Sequence, residues 1–241
     1  MSTPLVALLL ALQPTPAPLA SAAQVKPQYR AHRTPSCAEW RTARTGRGAT
    51  PLLEAGYNIW FHGYITGYNV HGPDRTGDLL GTTKWVQIGA FIDDYCARNS
   101  TQLVADALQP LIENLSKRPT APARQSEKRR AMMTVTTTCR EWTGTRNDQL
   151  MRVISGGAVR GYLTAYNRWG PDPAGDVLGP GNDPLIDAWI DKWCDKRPSA
   201  LLMQAVSPLT EYLTMERAAG SLAAGKTPAN EQLIATNPDR R

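Results

Sequence analysis

Gly63-Tyr64-Ile65-Thr66-Gly67-Tyr68-Asn69 and Gly161-Tyr162-Leu163-Thr164-Ala165-Tyr166-Asn167 are two versions of one heptapeptide, 98 positions apart. The same shift carries Gly72-Pro73-Asp74 onto Gly170-Pro171-Asp172, Gly77-Asp78 onto Gly175-Asp176, Ile92-Asp93 onto Ile190-Asp191 and Cys96 onto Cys194. It continues through Pro110-Leu111 and Pro208-Leu209 to Leu115 and Leu213. Upstream, Cys37-x-Glu39-Trp40 matches Cys139-x-Glu141-Trp142 at a shift of 102, so the first copy carries four extra residues around Arg44 to Thr50. A fixed-period match of this length is the signature of an internal duplication.

The duplication organises the whole chain. Two small domains are expected, residues 34–116 and 134–216, joined by a basic, Pro-containing tether over 117–133 and followed by a tail over 217–241. Between Lys117 and Arg130 six bases stand against Glu127, so much of the formal charge of +6 lies in a segment that cannot bury a core. No basic stripe interleaved with aromatics runs through either repeat, which argues against a nucleic-acid reader.

The apolar run Leu5 to Leu12, followed by the small residues Ala20 to Ala23, reads as a signal peptide over residues 1–23. That run is too short to span a bilayer, so no membrane span is expected. Export places the four cysteines in an oxidising compartment, where bridges are favoured over thiols. Four cysteines allow three connectivities. One bridge per repeat is the pairing that duplication selects: Cys37 to Cys96 and Cys139 to Cys194.

Helical periodicity dominates each copy. Val104, Leu108, Leu111 and Leu115, with Leu202, Val206, Leu209 and Leu213, form apolar stripes at helical spacing, interrupted by Pro110 and Pro208, where a kink is expected. Ser100 and Ser199 are candidate caps for these helices. Asp183-Pro184 reads as a helix start, and the helix it opens carries Cys194. A further helix is expected from about Pro51 to Tyr68, and from about Asp148 to Tyr166. Its glycines, Gly63 with Gly67 and Gly156 with Gly157 and Gly161, point to close helix packing. Between these helices, Val70 to Gly81 and Arg168 to Gly181 have turn chemistry. The expectation is an all-α protein of two tandem small helical domains, each with at least three helices and one disulfide.

Candidate binding residues follow from the repeated motif. Tyr64 with Tyr68, and Tyr162 with Tyr166, share a helical face and can line a ligand or peptide site; the alternative is core, with Asn69 and Asn167 closing the helices in left-handed caps. Asp74 and Asp78, with Asp172 and Asp176, are paired carboxylates that a glycoside hydrolase could use if they faced a cleft about 5 to 9.5 Å apart. Turn chemistry explains the same residues. The three histidines, His32, His62 and His71, all lie in the first half, so neither a duplicated metal site nor a duplicated His-based nucleophile is available. The sequence calls for no catalytic residue, no metal and no cofactor.

A cysteine near the domain start, the helix ending Gly-Tyr-x-x-x-Tyr-Asn, the segment Trp189-Ile190-Asp191-x-Trp193-Cys194-x-x-x-Pro198 and a following amphipathic helix together resemble the HdeA-like group of small periplasmic bacterial proteins. The resemblance covers Cys37 to Leu115 and Cys139 to Leu213. That group contains acid-stress chaperones and immunity proteins against secreted toxins. The resemblance implies an exported, non-catalytic periplasmic or secreted protein that binds other proteins, with paired-Asp hydrolysis as the alternative.

Overall fold

The computed structural model describes residues 30–32, 34–45, 51–73, 79–80, 83–117, 136–171, 175–179 and 183–218. The leader, nearly all of the 117–133 tether and the tail beyond Ala218 lie outside the described residues. The protein is all-helical, and its only β-type pairings among the described residues are two isolated bridges, Ser36 with Leu103 and Thr138 with Leu201. The first copy comprises α1 (Cys37–Thr45), α2 (Pro51–His71), α3 (Trp85–Arg98) and α4 (Val104–Ser116). The second comprises α5 (Cys139–Gly144), α6 (Gln149–Ser155), α7 (Gly157–Trp169), α8 (Asp183–Asp195), a 3-10 turn (Leu202–Ala205) and α9 (Val206–Ala218).

Both bridges form as the repeat requires, Cys37 with Cys96 and Cys139 with Cys194. One ties α1 to α3 and the other ties α5 to α8. The isolated β-bridges sit at equivalent places and hold the residues before each first cysteine against the turn that precedes the last helix. In the first copy Cys37 N–H donates to Gln102 O, and in the second Cys139 N–H donates to Ala200 O.

The repeats are not separate bodies on a tether, as the sequence suggested. α2 and α7 run parallel and side by side, because their contacts rise together along both helices: Gly157 meets Gly56 and Trp60, Gly161 meets Trp60 and Tyr64, and Gly67 meets Tyr162 and Ala165. The approach is so close that a Cβ on Gly63 would stand 1.8 Å from Ala158 O, and one on Gly161 would stand 2.0 Å from Trp60 O. Trp60 and Ala158 are themselves repeat equivalents, so these clashes are a reciprocal pair about a pseudo-twofold axis. Small residues let the backbones touch here. The two cores then merge at their edges: Ala165 and Trp169 of the second copy pack in the first core, and Ile59 of the first packs on the second.

Several local expectations change. The long helix is continuous in the first copy but breaks at Gly156-Gly157 in the second, where a Cβ on Gly156 would stand 2.4 Å from the buried Arg160 guanidinium. Ser100 and Ser199 cap nothing; Leu103 and Leu201 occupy the cap positions, and their N–H groups donate back to Asp106 and Gln204. Pro110 lies inside α4, whereas Pro208 falls in the first turn of α9, where a missing N–H costs little. Val70, Arg168 and their neighbours extend the helices to His71 and Trp169 before the loops begin. Asp183 opens α8 as read.

Two expectations test this architecture. Gly161→Ala should lower stability by about 1 to 3 kcal/mol, as overpacking against backbone does. Gly144→Ala, with nothing within 4 Å of the added carbon, should cost nothing in the same urea titration. Reduction of the bridges, which span 59 and 55 positions, should remove about 4 kcal/mol each by loop entropy, seen as a fall in thermal midpoint with dithiothreitol.

Candidate functional site

The Cys-x-Glu-Trp motif is a helix start with three separate tasks. Its Glu closes a capping box: Glu39 accepts from Ser36 N–H and hydroxyl, and Glu141 does the same with Thr138. Its Trp is fully buried and reaches the cysteine-bearing helix α3 or α8, with Trp40 Nε1–H donating to Asp93 Oδ1 at 2.8 Å and Trp142 Nε1–H donating to Asp191 Oδ1 at 2.9 Å. A guanidinium neutralises each of these carboxylates. Arg44 grips Asp93 with two nitrogens, at 2.7 and 2.9 Å, and also bonds Glu54. In the second copy Glu54 is replaced by Arg152, so Asp191 is flanked by Arg146 and Arg152 instead, and Arg152 lies over the Trp142 ring at 3.8 Å. Asp93 and Asp191 are thereby accounted for as structural groups.

The tyrosines of the repeated heptapeptide lie on the seam between the copies and are buried. They meet residues of the other repeat in reciprocal fashion. His71 Nε2 and Tyr162 OH are 2.9 Å apart, while at the equivalent position Trp169 Nε1–H donates to Tyr64 OH at 3.1 Å. Tyr68 packs edge-on to Trp169, and Tyr166 edge-on to His71. Burial raises the Tyr162 hydroxyl to about 12 and lowers the His71 imidazole to about 4, so both are neutral at pH 7. Asn69 and Asn167 are not left-handed caps. Both remain inside their helices, and each side-chain oxygen accepts from a loop N–H, Leu79 at 3.0 Å and Val177 at 2.8 Å, pinning the chain as it returns.

Beside this seam lies a groove that sequence reasoning missed. It is built on the second copy by Thr164, Asn167, Gly175, Asp176 and Asp183, with Trp60 of the first copy closing one side. Residues 30–32, just ahead of the first repeat, cross over and lie in it. Arg30 N–H donates to Gly175 O, and Arg30 O accepts from Asn167 Nδ2. His32 N–H donates to Thr164 Oγ1 at 2.9 Å, and His32 O accepts from Trp60 Nε1 at 2.8 Å. The His32 ring is fully buried, with Nε2 3.0 Å from Asn167 Nδ2 and Nδ1 3.4 Å from Asp183 Oδ1. An Asn Nδ2 can only donate, so the His32 proton is on Nδ1, facing Asp183. His32, facing Asp183 at 3.4 Å, and then the nearby positive charges of Arg30 and Arg160 hold the Asp183 carboxyl below its usual range. The available signal in the sequence was the Arg30-x-His32 spacing, which suits an extended strand whose alternate residues face one way.

No family model, no curated protein and no solved structure matches this chain. Asp74, Asp78 and Asp172 lie outside the described residues. Asp176, the described member of the acidic pairs, accepts from Gly179 N–H and faces Arg30. Among the described residues no group of three or more His, Cys, Asp or Glu could hold a metal ion, and no helix is long and apolar enough to cross a membrane.

Where α2 and α6 begin, apolar side chains stand in solvent. Leu52 and Leu53 are 38% and 39% exposed, and their repeat equivalents Leu150 and Met151 are 48% and 37% exposed, with Val153 beside them. Gly56 and Ile154, one turn further along, are in contact, so both pairs open at the same end of the parallel helices.

The seam histidine makes stability depend on pH. His71, with its pKa lowered from 6.5 to about 4, refuses a proton that the unfolded chain accepts, as does His62, whose ring lies on Trp85. Between about pH 6.5 and pH 4 the unfolded state binds more protons, so stability falls as pH falls through that window. His71→Gln, which keeps a hydrogen-bonding group near Tyr162, should flatten the decline; urea midpoints measured across the window would show it. The Asp183 contribution, from a depressed carboxyl pKa, is lost only at lower pH still.

Proposed function

We propose that this protein is an exported, non-catalytic, protein-binding factor of the bacterial periplasm, in the manner of the HdeA-like group it resembles. The observation that carries the reading is the apolar end of the seam, where Leu52, Leu53, Leu150 and Met151 are exposed at equivalent positions of both copies. Grouped exposed apolar side chains favour association with another protein. Two disulfides support folding in an oxidising compartment, and the signal-peptide reading of residues 1–23 is consistent with it. The polar groups of the repeated motifs are engaged in caps, pins and ion pairs, an allocation that suits a rigid binding scaffold. No described observation favours the paired-carboxylate hydrolase.

Within this class the resemblance offers two roles, a chaperone for acid-stressed proteins or an immunity factor that holds one toxin. Affinity capture from periplasmic extract at neutral and acidic pH separates them: many clients bound only in acid mark the first, and one partner bound at neutral pH marks the second. Leu52→Glu with Leu150→Glu should weaken capture at least tenfold while leaving the thermal midpoint unchanged. Absence of any partner at either pH would end the reading.

A further inference from the structure

The groove that holds residues 30–32 treats them as a ligand. Its contacts are to the backbone N–H and C=O of Arg30 and of His32, all four atoms satisfied, and the two residues are spaced as alternate positions of an extended chain. This is how sites that capture extended peptides obtain affinity without regard to sequence, leaving selection to the side chains. The groups that do the reading are committed to it. Thr164 and Asn167 are fully buried, and Asn167 uses its oxygen on Val177 and its nitrogen on the strap.

Side-chain selection is electrostatic. Asp176 and Asp183 line the groove and face Arg30 at 3.5 and 3.6 Å, and Asp183 faces His32 at 3.4 Å. All three distances exceed that of a good charge-assisted hydrogen bond. His32 Nδ1 and Asp183 Oδ1 are both buried and make no hydrogen bond. The strap therefore fits the groove by its backbone and by the His32 Nε2 that accepts from Asn167, and only loosely against the two carboxylates. A longer basic side chain at the second position would close the gap to Asp183 while giving up the acceptor that His32 Nε2 offers Asn167.

In sequence the first copy keeps Asp78 at the position of Asp176 but has no counterpart of Asp183. Trp85 stands where the second copy has Asp183, and His62, stacked on Trp85 with ring centroids 3.6 Å apart, stands where it has Arg160. The Asp183 side of the groove therefore belongs to one repeat, and Trp60, which donates to His32 O, comes from the other.

We propose that the groove formed by Thr164, Asn167, Gly175, Asp176, Asp183 and Trp60 is a binding site for an extended peptide segment of a partner protein with basic side chains two residues apart, and that Arg30 to His32 is its resident occupant in cis. The proposal rests on the protein-binding reading for the existence of a partner, but it concerns a different surface from the apolar end of the seam. A tethered occupant acts at an effective concentration of roughly millimolar, so a partner must match the groove better than the strap does or bind elsewhere as well.

The test uses the full mature chain and two fluorescein-labelled peptides, one with the sequence Tyr29 to Thr34 and one carrying His32→Arg. Arg30→Glu with His32→Glu in the protein sets like charges against Asp176 and Asp183 and loosens the strap. Fluorescence anisotropy should show saturable binding of both peptides to the loosened protein, the His32→Arg peptide at least tenfold more tightly. The unsubstituted protein should bind at least tenfold more weakly than the loosened one. Thr164→Val added to the loosened protein should weaken binding, and a scrambled peptide of equal charge should not compete. If the loosened protein fails to fold, the measurement passes to the unsubstituted one. There, excess His32→Arg peptide should speed hydrogen exchange at the Arg30 and His32 amides several-fold. No saturable binding, equal competition by the scrambled peptide, or, in the fallback, unchanged exchange would overturn the proposal. Each of those results leaves partner capture through Leu52 and Leu150 untouched, so the two readings fail separately.

Discussion

The contact of α2 with α7 at Gly63 and Gly161 is the constraint on which the rest of the structure depends. At both positions the space a side chain would occupy is filled by a carbonyl oxygen of the other repeat. Helices this close and parallel bring repeat-equivalent residues to the same level, so whatever one copy presents at the seam meets its own counterpart or a neighbour of it. His71 reaches Tyr162 and Trp169 reaches Tyr64 for that reason. Trp60 and Thr164, which both bond to the backbone of His32, stand on these two helices. The disulfides stabilise each repeat internally, but the glycines decide how the repeats are joined.

Duplication has preserved the scaffold and let its charges diverge. Both copies keep the bridge, the capping box, the Trp-to-Asp hydrogen bond and the Asn that pins the returning loop. Around that frame the first copy has Glu54, His62, His71 and Trp85 where the second has Arg152, Arg160, Trp169 and Asp183. The consequence is an ion pair of the buried Arg160 with the partly exposed Asp187 in the second copy, where the first has His62 packed on Trp85. A pair of this kind adds little net stability against a well-packed apolar alternative.

How far the sequence could be read depended on the range of the interaction concerned. The bridges, the helical class, the helix start at Asp183 and the close packing implied by the glycines were all legible, because each leaves a local or strictly periodic mark. Ser100 and Ser199 looked like caps, yet the β-bridges to Leu103 and Leu201 move the helix starts beyond them. Asn69 and Asn167 looked like helix ends, but their amides are worth more as acceptors for a loop ten residues away than as terminators. The tyrosine stripe was legible as an apolar face without disclosing that its partner was the other repeat.

By itself, the sequence determined that one helical unit occurs twice and that each copy closes its own disulfide, since the matched motifs place one pair of cysteines in each copy. It could not determine that the copies share a seam, because a glycine on a helix face reports that something comes close without naming it. Nor could it assign residues 30–32 to the second repeat, more than 130 positions away along the chain. Only the tertiary structure decided these points. They rest on backbone carbonyls, buried amides and a composite wall from both repeats, and none of these leaves a periodic trace in the order of side chains.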